Sequence, residues 1–323
     1  MSATRPDGKT LVAIYRKMSA IKQNDDRFIG MMKAGKLMMP YYSARGQECI
    51  PAAISVQLTN QDYLVTIYRG IHDMIAKGVP AKLIWAELAG RATGCCKGKG
   101  GPMHVTHPES GCMVTTGVVG SGMPIGCGLA LAAQVRGEKR VTVTNFGDGA
   151  ANIGAFHESL NLASVWKLPI VFVCQNNQFA EHTAYQKGTS IARIADRAKA
   201  YSMPGLHVDG NDPVAVYGAA KEAIERARSG EGPTLLEAVT FRFNGHMIGD
   251  TGDYIPKPQL EAALAADPYP KYRRWLIDER HAAAAELDAI DAEIAAEVEA
   301  AVTFAFESPL TDVSEIQTDV WAA

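Results

Sequence analysis

The sequence predicts an α/β fold: a parallel sheet with helices on both faces, carrying helical extensions at its N- and C-terminal ends. Three observations predict it. Between Val141 and Phe241, short apolar runs alternate with longer stretches of helical spacing, a β-α-β-α-β order that argues a parallel sheet covered on both sides. The strand runs are continuously apolar and rich in β-branched residues, as strands buried on both faces must be. Gly/Asp and Asn clusters stand at the ends of two of these runs, where ligands of open α/β sheets bind.

Taken in order, Leu11 to Lys33 places Leu11, Ile14, Tyr15, Met18 and Ile21 on one helical face. Gln47 to Leu58 reads as a second helix, and Pro80 to Ala89 as a third with proline in its first turn. Arg91 to Gly122 is glycine-rich, interleaved with Lys97, Lys99, Pro102, His104 and His107. It is too long for a simple connection and reads as a functional loop. A helix of small residues, Pro124 to Val135, follows. Val141 to Phe146 is a buried strand, Gly147-Asp148-Gly149 a turn, Ala151 to Trp166 a helix, and Pro169 to Cys174 a second buried strand. Ile191 to Ala200 is helical and Leu206 to Val208 a short strand. Pro213 to Arg228 is a helix and Thr234 to Phe241 a strand. From Gln259 the pattern is helical, ending in an alanine- and glutamate-rich helix from His281 to Phe306. The 323 residues read as a single domain, with an N-terminal helical segment 1–60 and a C-terminal helical tail 258–323.

Bulk properties narrow the partners. A net charge of −3 gives no basic surface for nucleic acid or an anionic membrane. Met123 to Val135, the most apolar stretch, is too short and too glycine-rich to span a bilayer. Met1 to Lys17 has no apolar signal core. Cys49, Cys95, Cys96, Cys112, Cys127 and Cys174 form no C-x-x-C pair and no zinc spacing, so they read as reduced thiols of a cytoplasmic protein.

The chemistry centres on Gly147-Asp148-Gly149, followed one helix and one strand later by Asn176-Asn177. The glycines let backbone amides approach a phosphate, and the helix from Ala151 turns its positive end toward the same point. One carboxylate, one amide oxygen and a nearby carbonyl suit a hard octahedral cation, with diphosphate oxygens and water completing its shell. Together these motifs describe a magnesium-bridged diphosphate site. A nucleotide site fits less well. Neither Lys97-Gly98 nor Lys99-Gly100 has P-loop spacing, and Gly120-Ser121-Gly122 lacks the third glycine of a dinucleotide loop.

The segment Gly147 to Asn152 through Asn176-Asn177 resembles the thiamine-diphosphate fingerprint. Glu158 to Ala163, Trp166 to Pro169, Tyr68-Arg69, Gly94 to His104 and Gly245-His246 are similar to alpha subunits of acetoin and pyruvate dehydrogenases. This likeness covers nearly the whole chain, with the motifs in the family's order. It implies a thiamine-diphosphate-binding fold and two cofactors, thiamine diphosphate and Mg2+. It implies that Asp148, Asn177 and the Phe179 carbonyl bind Mg2+, and that Gly149, Ala150, Tyr68 and Arg69 contact the diphosphate. Gly117 and Val119 would hold the aminopyrimidine, Val119 as the apolar wedge that bends the cofactor. His246 would act over the diphosphate and the reacting carbon, and His104 would line the approach. His72, His157, His182, His207 and His281 read as structural, and Glu48 as a cap or packing residue.

The resemblance also implies a beta subunit that supplies the activating glutamate, in an α2β2 heterotetramer, and a lipoyl acyltransferase as a further partner. The helix from Met123, with Gly122, Gly126 and Gly128, suits either a subunit contact or packing within the domain. Glu158 to Trp166 and Gly245-His246 before Gly249-Asp250 look most like the acetoin branch. Four departures bear on substrate and acceptor: Met247 where kinase-regulated relatives carry serine, Ile255 after Tyr254, Gln175 in place of an acid, and Asn244 where pyruvate enzymes often have histidine. The expectation is an enzyme that cleaves a C–C bond next to a carbonyl in an acetoin-type ketone and passes the acyl fragment to a lipoyl or other acceptor. A pyruvate or branched-chain 2-oxo-acid dehydrogenase subunit, and a two-subunit thiamine carboligase or lyase, stay open.

Overall fold

The computed structural model describes residues 5–321. Helix α1 (Gly8–Lys33) is capped by Asp7, whose carboxylate accepts the Thr10 N–H, and it buries the apolar face expected of it. A short helix α2 (Cys49–Ser55) leads to strand β1 (Tyr63–Ile67), then α3 (Ile71–Lys77) and α4 (Ala81–Leu88). Beyond the glycine-rich segment come β2 (Cys112–Thr116), α5 (Gly122–Val135), β3 (Thr142–Gly147), α6 (Gly154–Trp166) and β4 (Ile170–Asn176). A hairpin of β5 (Phe179–Ala180) and β6 (Thr183–Ala184) and one turn of helix, α7 (Tyr185–Gly188), follow. Then β7 (Gly205–Asp209), α8 (Pro213–Arg228) and β8 (Thr234–Val239) complete the sheet, and α9 (Lys257–Ala265), α10 (Pro268–Asp278) and α11 (Ala284–Glu307) close the chain.

The sheet has the order β2-β1-β3-β4-β8-β7, and every pairing is parallel. Strand β4 shows why its sequence has no alternation. Val171 and Val173 point into the core shared with α1, α2, α4, α8 and α11, while Ile170, Phe172 and Cys174 point into a second core under α5 and α6. Both faces are dry, so every position from Ile170 to Cys174 is apolar. Between β1 and β3 the strand order reverses: the chain runs outward to β2, then returns to the other side of β1. Crevices of open α/β sheets form at such a reversal, outside the carboxyl ends of the strands.

The observed elements depart from the sequence reading in places. Strands β1 and β2 and helix α3 were not expected, and β2 lies inside the glycine-rich segment read as one loop. The helix expected from Ala151 starts at Gly154, behind a 3-10 turn over Asp148–Asn152. Pro80 stands at the cap of α4, one position before its first turn. The segment expected as a helix from Ile191 is 3-10, Ile194–Tyr201. No helix among the described residues is long and apolar enough to cross a membrane.

Candidate active site

A cavity of about 390 Å³ opens at the strand tips; most of its lining comes from segments that follow strands, with Tyr42 and Met103 added from the loops before α2 and after α4. Ile67, Tyr68 and Arg69 follow β1; Gly117, Val119 and Gly120 follow β2; Gly147 to Ala150 close β3; Asn177 to Glu181 follow β4; Arg242 and His246 follow β8. Ten of the residues singled out in the sequence therefore meet in one place: Tyr68, Arg69, Gly117, Val119, Asp148, Gly149, Ala150, Asn177, Phe179 and His246. His104 does not line the cavity. It is solvent-exposed, with its ring packed where a side chain at Gly117 would begin, 3.6 Å away. A larger hollow of about 510 Å³, between Asn211–Val214 and Lys271–Trp275, contains none of these residues.

Asp148 is 2% exposed. Burial raises its carboxyl to about 6, against the opposing pull of its own N–H and of Arg242 and Arg69. Asn177 is oriented from behind: its Nδ2 donates to Gln47 Oε1 at 3.2 Å, and its Oδ1 accepts the Phe179 N–H at 3.3 Å. Gly149 is a glycine because the hairpin approaches it; a Cβ there would stand 2.6 Å from Ala180 Cβ.

Arg69 is buried, and burial lowers its guanidinium to about 10. It donates to the Ser43 carbonyl at 2.7 Å and the His246 carbonyl at 2.9 Å, tying the loop after β8 to the loop after β1. His72 donates from Nδ1 to the Arg69 carbonyl and meets Gln175 Oε1 at 2.8 Å, which fixes the backbone beneath that loop. The rings of Tyr42, Tyr68 and His246 meet edge to face, with centroids 4.6 to 5.8 Å apart. Burial, then Arg69 and Arg242, push the His246 imidazole down to about 4, so it is neutral near pH 7. Arg242 Nη1 lies 3.5 Å from its Nδ1; a guanidinium only donates, which leaves the ring proton on Nε2.

The family model for the dehydrogenase E1 component matches residues 16–314. The chain belongs to this family. Three relatives agree with it along almost their whole length. The alpha subunit of acetoin:2,6-dichlorophenolindophenol oxidoreductase from Bacillus subtilis is 40% identical over 311 residues, 96% of this chain and 93% of the relative. The corresponding subunit from Cupriavidus necator is 40% identical over 324 residues, 100% and 97%. The alpha subunit of the pyruvate dehydrogenase E1 component from Porphyra purpurea is 36% identical over 319 residues, 97% and 93%. This E1 chain is thus a thiamine-diphosphate-dependent oxidoreductase subunit of the alpha type, and its counterpart is a beta subunit.

The E1 cavity also contains residues that the sequence reading passed over. Arg242 is 1% exposed, donates to the Glu181 carbonyl and the Tyr254 hydroxyl, and keeps an unpartnered Nε. An arginine between Phe241 and Phe243, just beyond an apolar strand, was the available signal: such a charge is buried only with partners. Tyr42, Met103 and Glu181 carried no comparable signal. Asp250 accepts the N–H groups of His246 and Gly252 and the Tyr254 hydroxyl. Those bonds outweigh the cost of its burial and hold it down to about 2. His182, read as structural, stands at this rim with Nε2 3.6 Å from Asp250 Oδ2 and its ring against Tyr254. Glu48 faces away, accepting the Gly46 N–H and pairing with Arg45.

The residues present fit a cation-bridged diphosphate. Asp148 is a buried carboxylate that accepts no hydrogen bond from another side chain among the described residues, an arrangement a divalent cation would relieve. Among the described residues no three His, Cys, Asp or Glu side chains gather into a self-sufficient metal site, so remaining ligands would come from diphosphate and water.

Proposed function

We propose that this chain is the diphosphate-holding half of an acetoin-cleaving E1 enzyme, and that a beta subunit supplies the other half in an α2β2 assembly. The observation that carries the reading is the convergence of Asp148, Asn177, Phe179, Tyr68, Arg69 and His246 on one strand-tip cavity. Asp148, the Asn177 amide oxygen and the Phe179 carbonyl would hold Mg2+; Gly149, Ala150, Tyr68 and Arg69 would seat the diphosphate. Gly117 and Val119 would grip the aminopyrimidine. When bound, thiamine diphosphate supplies a nucleophilic carbon and an electron sink for cleaving a C–C bond next to a carbonyl.

The protein's own work is positioning and proton management. Neutral His246, with its proton on Nε2, can donate to a substrate oxygen as it gains negative charge and take the proton back afterwards. The aromatic wall of Tyr42 and Tyr68 keeps water from that ring. His104, on the rim outside the cavity, meets the incoming acceptor, a lipoyl group on an acyltransferase or another oxidant. The carboxylic acid that activates the aminopyrimidine comes from the beta chain, since Asp148 is committed to the cation and Glu48 to Arg45. Helices α1 and α11 share one core cluster with the sheet, which supports a single diphosphate-binding domain. Six free thiols favour a cytoplasmic setting.

The test is reduction of dichlorophenolindophenol by acetoin, pyruvate and branched-chain 2-oxo acids, with thiamine diphosphate and Mg2+, by the chain alone and with its beta subunit. Turnover of acetoin only in the two-chain enzyme is expected. His246→Gln should lower it by roughly 10²-fold with the cofactor still bound. Turnover by the chain alone, or near wild-type turnover of the His246 variant, would refute the reading.

A further inference from the structure

Glu181 occupies the two-residue turn between β5 and β6, at the exposed edge of the cavity it helps to line. Its φ of 53° lies in the left-handed region, where glycine or asparagine is favoured. A strained glutamate at a cavity's edge invites a functional explanation. Arg242 fixes the turn by donating to the Glu181 carbonyl, so the position of the tip is set by the cavity's own arginine. The carboxylate's field reaches both Tyr68 and His246, strengthening the hold of each on its proton.

The rest of the wall offers an anionic substrate little. Among the described residues its cations are Arg69 and Arg242, and no lysine lines it. Arg69 donates to the Ser43 and His246 carbonyls, and Arg242 to the Glu181 carbonyl and the Tyr254 hydroxyl. What positive charge remains faces Asp148 and the diphosphate position. His246 is neutral. A substrate arriving beside His246 therefore meets an imidazole, aromatic edges and the Glu181 carboxylate.

We infer that Glu181 is a specificity-determining residue that admits an uncharged ketone and disfavours a 2-oxo acid. The inference rests on the reading of this cavity as the thiamine-diphosphate site. Its physical content is like-charge repulsion at the cavity's edge, where the exposed Glu181 carboxylate biases which substrates approach, most strongly at low ionic strength. A hydroxyketone carries no charge and escapes it.

The experiment compares kcat/KM for acetoin and pyruvate in the two-chain enzyme loaded with thiamine diphosphate and Mg2+, using wild type, Glu181→Gln and Glu181→Lys. The pyruvate-to-acetoin ratio should rise roughly ten-fold in Glu181→Gln. It should rise further in Glu181→Lys, and added salt should shrink both gains. A ratio unchanged in both variants, with wild type still consuming acetoin, would overturn this assignment alone. So would an equal loss of both substrates in Glu181→Gln, because that is the signature of an activating acid and not of a filter. A wild-type enzyme that turns over pyruvate but not acetoin would overturn the functional reading and this inference with it.

Discussion

Asp148, at the tip of β3, and Glu87, at the end of α4, are both buried carboxylates, 2% and 1% exposed. Glu87 Oε2 accepts the N–H groups of Cys96 and Gly98 at 2.7 and 2.9 Å, and Oε1 those of Gly100 and Gly101 at 2.7 and 3.2 Å. Four backbone donors wrap one side chain, and the glycines let the chain curl that tightly; a Cβ at Gly94 would stand 2.5 Å from Glu87 Oε2. Asp148 has no such wrapping, and burial raises its carboxyl to about 6. One carboxylate is fully answered by the protein and organises a loop. The other is left for something the protein does not contain, and it lines the cavity. The difference separates a structural carboxylate from a ligand-binding one without reference to any relative.

The sharpest way to break this comparison is to remove the charge at each site. In the two-chain enzyme, Asp148→Ala should weaken thiamine diphosphate retention in Mg2+ by roughly 10²-fold or more, since a buried charged ligand is lost. Calorimetry reads it, and wild-type affinity would show that the cation sits elsewhere. Glu87→Ala should leave that affinity closer to wild type, because Glu87 lines no part of the cavity. It should instead cost about 3 kcal/mol of stability, by orphaning backbone donors that only partly find water. Urea unfolding measures the cost, and faster proteolysis between residues 94 and 104 locates it. The outer side of that loop, where Lys97 and Lys99 pair with Glu315 and Asp319, is exposed and contributes much less.

The same contrast explains what the sequence disclosed. Asp148 and Asn177 were legible because each follows an apolar run that could only be a buried strand, and two polar clusters at successive strand tips point one way. The sheet from β3 to β8 was legible for the same reason. β1 and β2 were not: each has five residues, too few for a period to separate strand from helix, and β2 is hidden among glycines. Glu87 looked like an ordinary helical glutamate, since its partners are backbone N–H groups, which leave no trace in side-chain identity. His104 was expected at the site because it ends the glycine-rich motif; that motif's geometry answers Glu87, and it delivers Met103, not His104, to the cavity. Arg242 and Glu181 reach the cavity through a strand exit and a hairpin tip, which only the tertiary fold brings together.

The last effect concerns Asp148 without its ligands. Its carboxyl titrates near about 6 in the folded chain against 3.8 ordinarily, so between those values the folded state binds more protons than the unfolded one. The penalty of holding the charge is therefore absent below about pH 4, grows as pH rises through the window, and is complete above about 6. Asp148→Asn abolishes it. Purified without thiamine diphosphate or divalent ions, Asp148→Asn should be more stable than wild type by about 3 kcal/mol at pH 7, and the advantage should vanish toward pH 4. His246 has the opposite slope. Its pKa falls from 6.5 to about 4 on folding, so stability drops as pH falls through that range. That slope is common to both proteins and cancels in their difference, which isolates Asp148. Adding Mg2+ and thiamine diphosphate should reverse the order at pH 7, because only wild type gains the cation's binding energy. Urea midpoints across pH 4 to 7, with and without these ligands, measure all of it. A wild-type chain as stable as Asp148→Asn at pH 7 in the absence of ligands would mean that the carboxylate is already satisfied within the fold, and the contrast with Glu87 would fail.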